Sequence, residues 1–148
     1  MRTRVVILRI EHLLPHERVG KRRVAELKNE IRRDGVLKRP IAVHMLGGAN
    51  KGKYMIIDGH HRVEALKSLG LTRVPASVVD YFDSRITVRS WRSGKVWDKR
   101  SVIRIATIGR LLGPKTTRHT IRIADVERSL HDNNVVEPER DYQLEDLR

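Results

Sequence analysis

Tyr54-Met55-Ile56-Ile57-Asp58-Gly59-His60-His61-Arg62-Val63-Glu64-Ala65-Leu66 is the stretch from which the fold can be read. The apolar run through Ile57 reads as a strand, and Val63, Ala65, Leu66 and Leu69 then recur at helical spacing. Asp58-Gly59 is the turn between them. A strand that passes through a tight turn into a helix aims the helix's unsatisfied N–H groups and partial positive charge beyond the strand's end. Gly59 lets the backbone approach a ligand closely, and His60, His61 and Arg62 add donors there. Phosphate is a natural occupant of such a place. In the competing reading Asp58 caps the helix and the histidines are solvated. A metal on the adjacent histidines is disfavoured, because neighbouring side chains diverge and no i, i+4 histidine pair is present.

Working outward, Val5–Ile10 is short and β-branched and reads as a strand. Glu11–Arg18, with Pro15, reads as a turn. Val24, Leu27 and Ile31 mark one face of a helix over Lys21–Arg33, stopped by Asp34-Gly35. Pro40–Leu46 is a second strand, joined by a glycine-rich turn to the strand Lys53–Ile57. Gly70 closes the helix that follows Gly59. Downstream, Val74–Val79 and Ile86–Trp91 read as strands, and Asp98 caps a helix reaching Ile108. Pro114–His119 reads as a loop, Thr120–Ile123 as a short strand, and 125–131 as weakly helical. The remainder reads as a mobile acidic tail. The expected fold is a small mixed α/β (α+β) domain, a mixed sheet with two or three packed helices. Residues 1–124 form the binding domain and 125–148 a helix and tail.

The 148 residues contain 31 Lys+Arg and 18 Asp+Glu, a net charge of +13. The acid-rich tail leaves the first 136 residues more basic still. Such a field attracts nucleotides or nucleic acid, or belongs to a thermophile's charge-laced surface. There is no cysteine, which excludes a disulfide framework, thiol catalysis and thiolate-bound zinc. Aromatic residues make up 4% of the chain, too few for base-stacking platforms. No apolar run is long enough to span a membrane, so the expected location is cytoplasmic.

Pro114-Lys115-Thr116-Thr117-Arg118-His119 is a second anion-binding candidate. It lacks the glycines of a P-loop, yet Lys neutralises phosphate, Thr hydroxyls donate to it, and Arg grips phosphate or carboxylate in bidentate fashion. The alternative is an exposed basic loop. Glu17, in Leu14-Pro15-His16-Glu17-Arg18-Val19, is either a general base or one half of a surface ion pair. Trp91 is either a core residue, the favoured reading from its position, or a pocket wall.

These motifs, with Asp34-Gly35-Val36-Leu37-Lys38-Arg39-Pro40-Ile41 and Val88-Arg89-Ser90-Trp91-Arg92, resemble the ParB/sulfiredoxin superfamily. Within it the chain is most similar to the free L-serine kinases of archaea and their siderophore-pathway relatives in bacteria. The resemblance implies phosphoryl transfer from ADP or ATP, with Mg²⁺, to the hydroxyl of free L-serine. That is a step of cysteine biosynthesis. It implies Glu17 as catalytic base. Asp58, Gly59, His60, His61 and Arg62, with Lys115, Thr116 and Thr117, would hold the nucleotide's phosphates, and Val36 would lie against the adenine. Trp91, Arg118 and His119 would form the serine pocket, with no dedicated protein metal site. Sulfiredoxin chemistry needs a cysteine that this chain lacks. A ParB-like DNA-binding regulator is the second reading.

Overall fold

The computed structural model describes residues 3–131 and 133–148. A mixed five-stranded sheet lies at its centre, as the sequence leads one to expect. It comprises β1 (Arg4–Arg9), β2 (Leu13–Leu14), β4 (Ile41–Met45), β5 (Tyr54–Asp58) and β6 (Arg73–Val78) in the order β1-β6-β4-β5-β2. β1 pairs antiparallel with β6, β6 parallel with β4, β4 antiparallel with β5, and β5 parallel with β2. Helices α1 (Lys21–Asp34) and α2 (His60–Ser68) cover one face. β3 (Val36–Leu37) pairs with β10 (Tyr142–Gln143) in a small separate ribbon.

The central strands are apolar on both faces because both faces are covered. Ile41, Val43 and Ile56 point into a core with Ile31, Val63 and Leu66. Ala42, Met55 and Ile57, one residue out of phase, point into a second core with Val88, Val102 and Ile121. That second core is closed by an antiparallel sheet of β7 (Ile86–Ser90), β8 (Thr117–Ile123) and β9 (Val126–Ser129), and by α3 (Lys99–Thr107). The Asp98 carboxylate caps α3 by accepting from the Arg100 N–H at 3.1 Å.

Three expectations are corrected. Residues Val126–Ser129 are a strand rather than weakly helical, because Ala124 and Asp125 both take positive φ (49° and 62°). That is the turn whose twist suits a two-residue hairpin. β8 begins at Thr117, so half of the supposed Pro114–His119 loop is strand, with Thr117 and His119 facing inward and Arg118 outward. The supposed mobile tail is packed into the fold. Val136, Glu137 and Leu147 are fully buried, Tyr142 and Gln143 pair with Leu37 and Val36, and the Thr72 N–H donates to the Leu147 carbonyl at 3.0 Å.

Candidate active site

A cleft of about 860 Å³ opens between α1, the β5–α2 turn and the end of β8. Every residue expected at the site except Thr116 lies along it: Glu17, Val36, the Asp58–Arg62 run, Trp91, Lys115, Thr117, Arg118 and His119. Thr116 sits immediately behind, bonded to Glu17. Two motifs some fifty residues apart thus form two walls of one space.

The β5–α2 turn works through its backbone. Gly59 occupies the N-cap of α2 at φ 111°, a conformation open to glycine and strained for other residues. An added Cβ would overlap Ile41 Cγ2, come to 2.8 Å of Ile41 Cβ and 3.2 Å of Arg62 Nη2. Asp58 makes no cap. Its Oδ2 accepts from Arg62 Nη2 at 2.9 Å and lies 3.1 Å from His131 Nδ1. Burial pushes the Asp58 carboxyl up, but the contact with Glu137, His131 and the Arg62 charge together hold it well below the usual carboxylate range. Arg62 is itself buried, donating to the Pro40 carbonyl at 2.7 Å and lying 2.9 Å from Glu137 Oε1. It therefore braces the turn from behind. Burial pushes the Glu137 carboxyl well up, against the pull of Arg62. The fold thus favours its protonated form.

The histidines are also committed. His61 Nε2 accepts the Gly20 N–H at 3.2 Å, tying α2 to the start of α1. His60 Nε2 accepts the His16 N–H at 3.2 Å. His119 Nε2 and the Tyr81 hydroxyl are hydrogen-bonded at 2.9 Å. Burial depresses all of these imidazoles, His119 to about 3 and His16 to about 4. They are neutral dipoles at neutral pH, and positive charge in the cleft comes from the helix end and from its lysines and arginines, among them Arg18, Arg22, Arg23, Lys115 and Arg118.

Glu17 is an acid of the cleft held by two hydrogen bonds. Its strand-like segment runs beside Leu112, with the Arg18 N–H donating to the Leu112 carbonyl at 2.8 Å. Lys115 takes φ 55°, a left-handed turn just before the chain offers the Thr116 N–H to Glu17 Oε1 at 2.7 Å. Glu17 Oε2 lies 3.1 Å from Thr117 Oγ1. Burial pushes the Glu17 carboxyl up, opposed first by the Thr116 N–H and then by the Thr117 hydroxyl. A carboxylate with raised proton affinity, part-buried in a basic cleft, is suited to accept a proton. The Thr116 hydroxyl donates to the Gly113 carbonyl at 2.6 Å, so it is committed within its own turn while the Thr117 hydroxyl faces Glu17. Trp91 is half exposed rather than core, and the Arg118 guanidinium stacks 5.2 Å above its ring. Trp91 is thus a wall of the cleft mouth.

The sequence reading missed Glu137 and His131, whose partners lie more than seventy positions away. Among the described residues, Asp58, His131 and Glu137 are the trio whose ligand atoms lie within 4.8 Å of one another. Arg62 Nη2, 2.9 Å from an oxygen of each acid, already supplies positive charge there, so the trio does not fit a cation. No helix among the described residues is long and apolar enough to cross a membrane.

The sequence pattern of the ParB N-terminal domain matches residues 2–90. An ATP-dependent L-serine kinase of Staphylothermus marinus is 41% identical over 86 residues, 58% of this chain and 33% of its own. One of Desulfurococcus mucosus is 33% identical over 116 residues, 78% of this chain and 44% of its own. The chain therefore spans less than half the length of these curated relatives. A free serine kinase solved in complex with AMP superposes with a TM-score of 0.78 at 16% identity, covering 97% of this chain and 93% of that one.

Proposed function

The chain belongs to the ParB N-terminal domain family, and on that premise we propose that it is a kinase transferring a phosphoryl group from ATP or ADP to the hydroxyl of free L-serine. The observation that carries the reading is the placing of Glu17. It is a carboxylate fixed by the Thr116 N–H at 2.7 Å, in a cleft it shares with the N-terminus of a nine-residue helix. The relatives' activity supports the choice of acceptor.

The N–H groups at the start of α2 and the Lys115 ammonium hold the donor's phosphates. Gly59 permits their close approach, while Asp58, Arg62 and Glu137 fix the turn from behind. Val36 lies against the base. Arg118, kept in place over Trp91, takes the serine carboxylate, and His119 borders the acceptor. Phosphoryl transfer asks mainly for alignment and charge neutralisation. As the serine oxygen bonds to the terminal phosphorus, its proton passes to Glu17 and the bond to the bridging oxygen breaks, releasing the shortened nucleotide. The described residues offer no all-protein cage for Mg²⁺; carried on the nucleotide's phosphates, the ion would neutralise their charge.

Incubation with L-serine, Mg²⁺ and ATP or ADP, followed by ³¹P NMR, is expected to show O-phosphoserine. Glu17→Gln is expected to remove turnover while nucleotide affinity stays within about twofold, since a neutral amide preserves shape and loses only basicity. No phosphoserine with either donor overturns the kinase reading, and full activity of Glu17→Gln removes Glu17 as the base.

A further inference from the structure

Behind Glu17 lies a hydroxyl with two claimants for its one hydrogen. His16 is fully buried, and its Nδ1 is 2.9 Å from the Ile56 carbonyl. A carbonyl only accepts, so Nδ1 carries the hydrogen and Nε2 of the neutral ring is a bare acceptor. That Nε2 is 3.2 Å from Thr117 Oγ1, which is also 3.1 Å from Glu17 Oε2. Glu17 Oε2 and His16 Nε2 are themselves 3.8 Å apart. Two acceptors thus face one donor.

We propose that the Thr117 hydroxyl is a two-position rotor, and that His16 is a positioning residue that accepts it when Glu17 is protonated. This rests on Glu17 being the base. With Glu17 ionised, the hydroxyl donates to the carboxylate, the stronger of the two bonds because it is charge-assisted, and His16 Nε2 is left bare. When Glu17 takes the serine proton, its new O–H donates to Thr117 Oγ1 and the hydroxyl turns to His16 Nε2. Each of the two contacts then has its own hydrogen. No proton leaves Glu17, and His16 stays neutral. Its burial, which holds the imidazole down to about 4, favours that neutrality. The effect is to stabilise the protonated acid and so raise Glu17's proton affinity. Asp58 on β5, His60 and His61 on α2, Lys115 and His119 share the cleft wall and act on Glu17 as a fixed background. None of them accepts from Thr117.

The experiment follows the Glu17 carboxyl by ¹³C NMR and His16 Nε2 by ¹⁵N NMR over a pH series, with the acidic limb of kcat/KM measured in parallel. In the unmodified protein, His16 Nε2 is expected to show the small shift of an accepted hydrogen bond at the Glu17 midpoint. In Glu17→Gln, whose amide donates to Thr117 permanently, Nε2 is expected to stay at its acid-side position throughout. His16→Asn keeps a donor for Ile56 and loses the acceptor. It is expected to lower the Glu17 midpoint and the kcat/KM limb together by roughly half to one pH unit, the worth of one neutral hydrogen bond. Thr117→Ser, which keeps the hydroxyl, is expected to keep the His16 Nε2 shift at the Glu17 midpoint. A flat Nε2 shift across the Glu17 titration, or an unmoved Glu17 midpoint in folded His16→Asn, overturns the proposal. Turnover by Glu17→Gln would instead overturn the base assignment, and the NMR titrations would still decide the rotor.

Discussion

Gly59→Ala isolates what the β5–α2 turn demands of its backbone. The site is buried, with φ 111° and ψ 21°. A side chain held there is strained by about 1–3 kcal/mol. The added methyl also overlaps Ile41 Cγ2 and comes to 2.8 Å of Ile41 Cβ. Ile41 is fully buried on a central strand with no room to retreat, so overpacking adds about 1–3 kcal/mol. The expected loss is about 2–6 kcal/mol, a large part of the roughly 5–15 kcal/mol that holds a domain folded. Ile41→Leu removes the offending γ2-methyl and alone costs under about 1.5 kcal/mol. In the double variant the overlap with Cγ2 is relieved, while the 2.8 Å approach to the β-carbon and the backbone strain remain. Urea unfolding of all four proteins is therefore expected to show a favourable coupling of about 1 kcal/mol or more. Nucleotide affinity of Gly59→Ala should fall as well, since the start of α2 must shift. A loss below about 0.5 kcal/mol, or additive effects, would refute the claim that close approach to Ile41 makes glycine necessary.

Two further outcomes concern buried titrating groups. Glu137 titrates above its unfolded value, so the fold loses stability as pH rises from about 4.5 toward that raised value. Glu137→Gln, a mimic of the protonated acid, should be at least as stable as the parent at pH 8 in urea unfolding, and a loss of 2 kcal/mol or more would contradict a protonated Glu137. His16 and His119 titrate at about 4 and about 3 against 6.5 unfolded. Their neutral burial stabilises the fold fully above pH 6.5 and progressively less as pH falls. By pH 5 each should have removed about 2 kcal/mol, measured in the Glu17→Gln, Glu137→Gln background where both raised acids are silent. Flat stability between pH 7 and 5 there would be inconsistent with uncharged histidines.

The parts of the fold that were legible in the sequence are those specified locally. Tyr54–Leu66 declared its strand, turn and helix through periodicity and one glycine, and Asp98 declared the start of α3. The β9 hairpin was not legible, because Ala124-Asp125 adopts positive φ without the Gly or Asn that usually advertises it. Glu17 stood out by its neighbours, but its orientation depends on Thr116 and Lys115 a hundred positions later. Arg62 carries the same charge whether it faces a phosphate or a buried acid. Pro40, Asp58 and Glu137, the last arriving from the far end of the chain, turn it inward. Trp91 has the composition of a core residue, and Arg118 beside it on the neighbouring strand draws it to the surface instead.

The hydrogen bonds that orient Glu17 join residues 99 and 100 positions apart, and the contact of His16 with Thr117 spans 101. The β5–α2 turn, by contrast, forms within a dozen residues. Contacts of such long sequence separation must pay for closing a large loop before they return anything. In time, then, the two halves of the cleft are unequal. The strand, turn and helix around Gly59 can take shape locally, but their bracing by His131 and Glu137, like the orienting of Glu17 by Thr116 and Thr117, waits for the later part of the chain. A chain caught between those events would possess a helix terminus facing the cleft and no aligned base. The docking of β8 is therefore the event on which the alignment of the base depends.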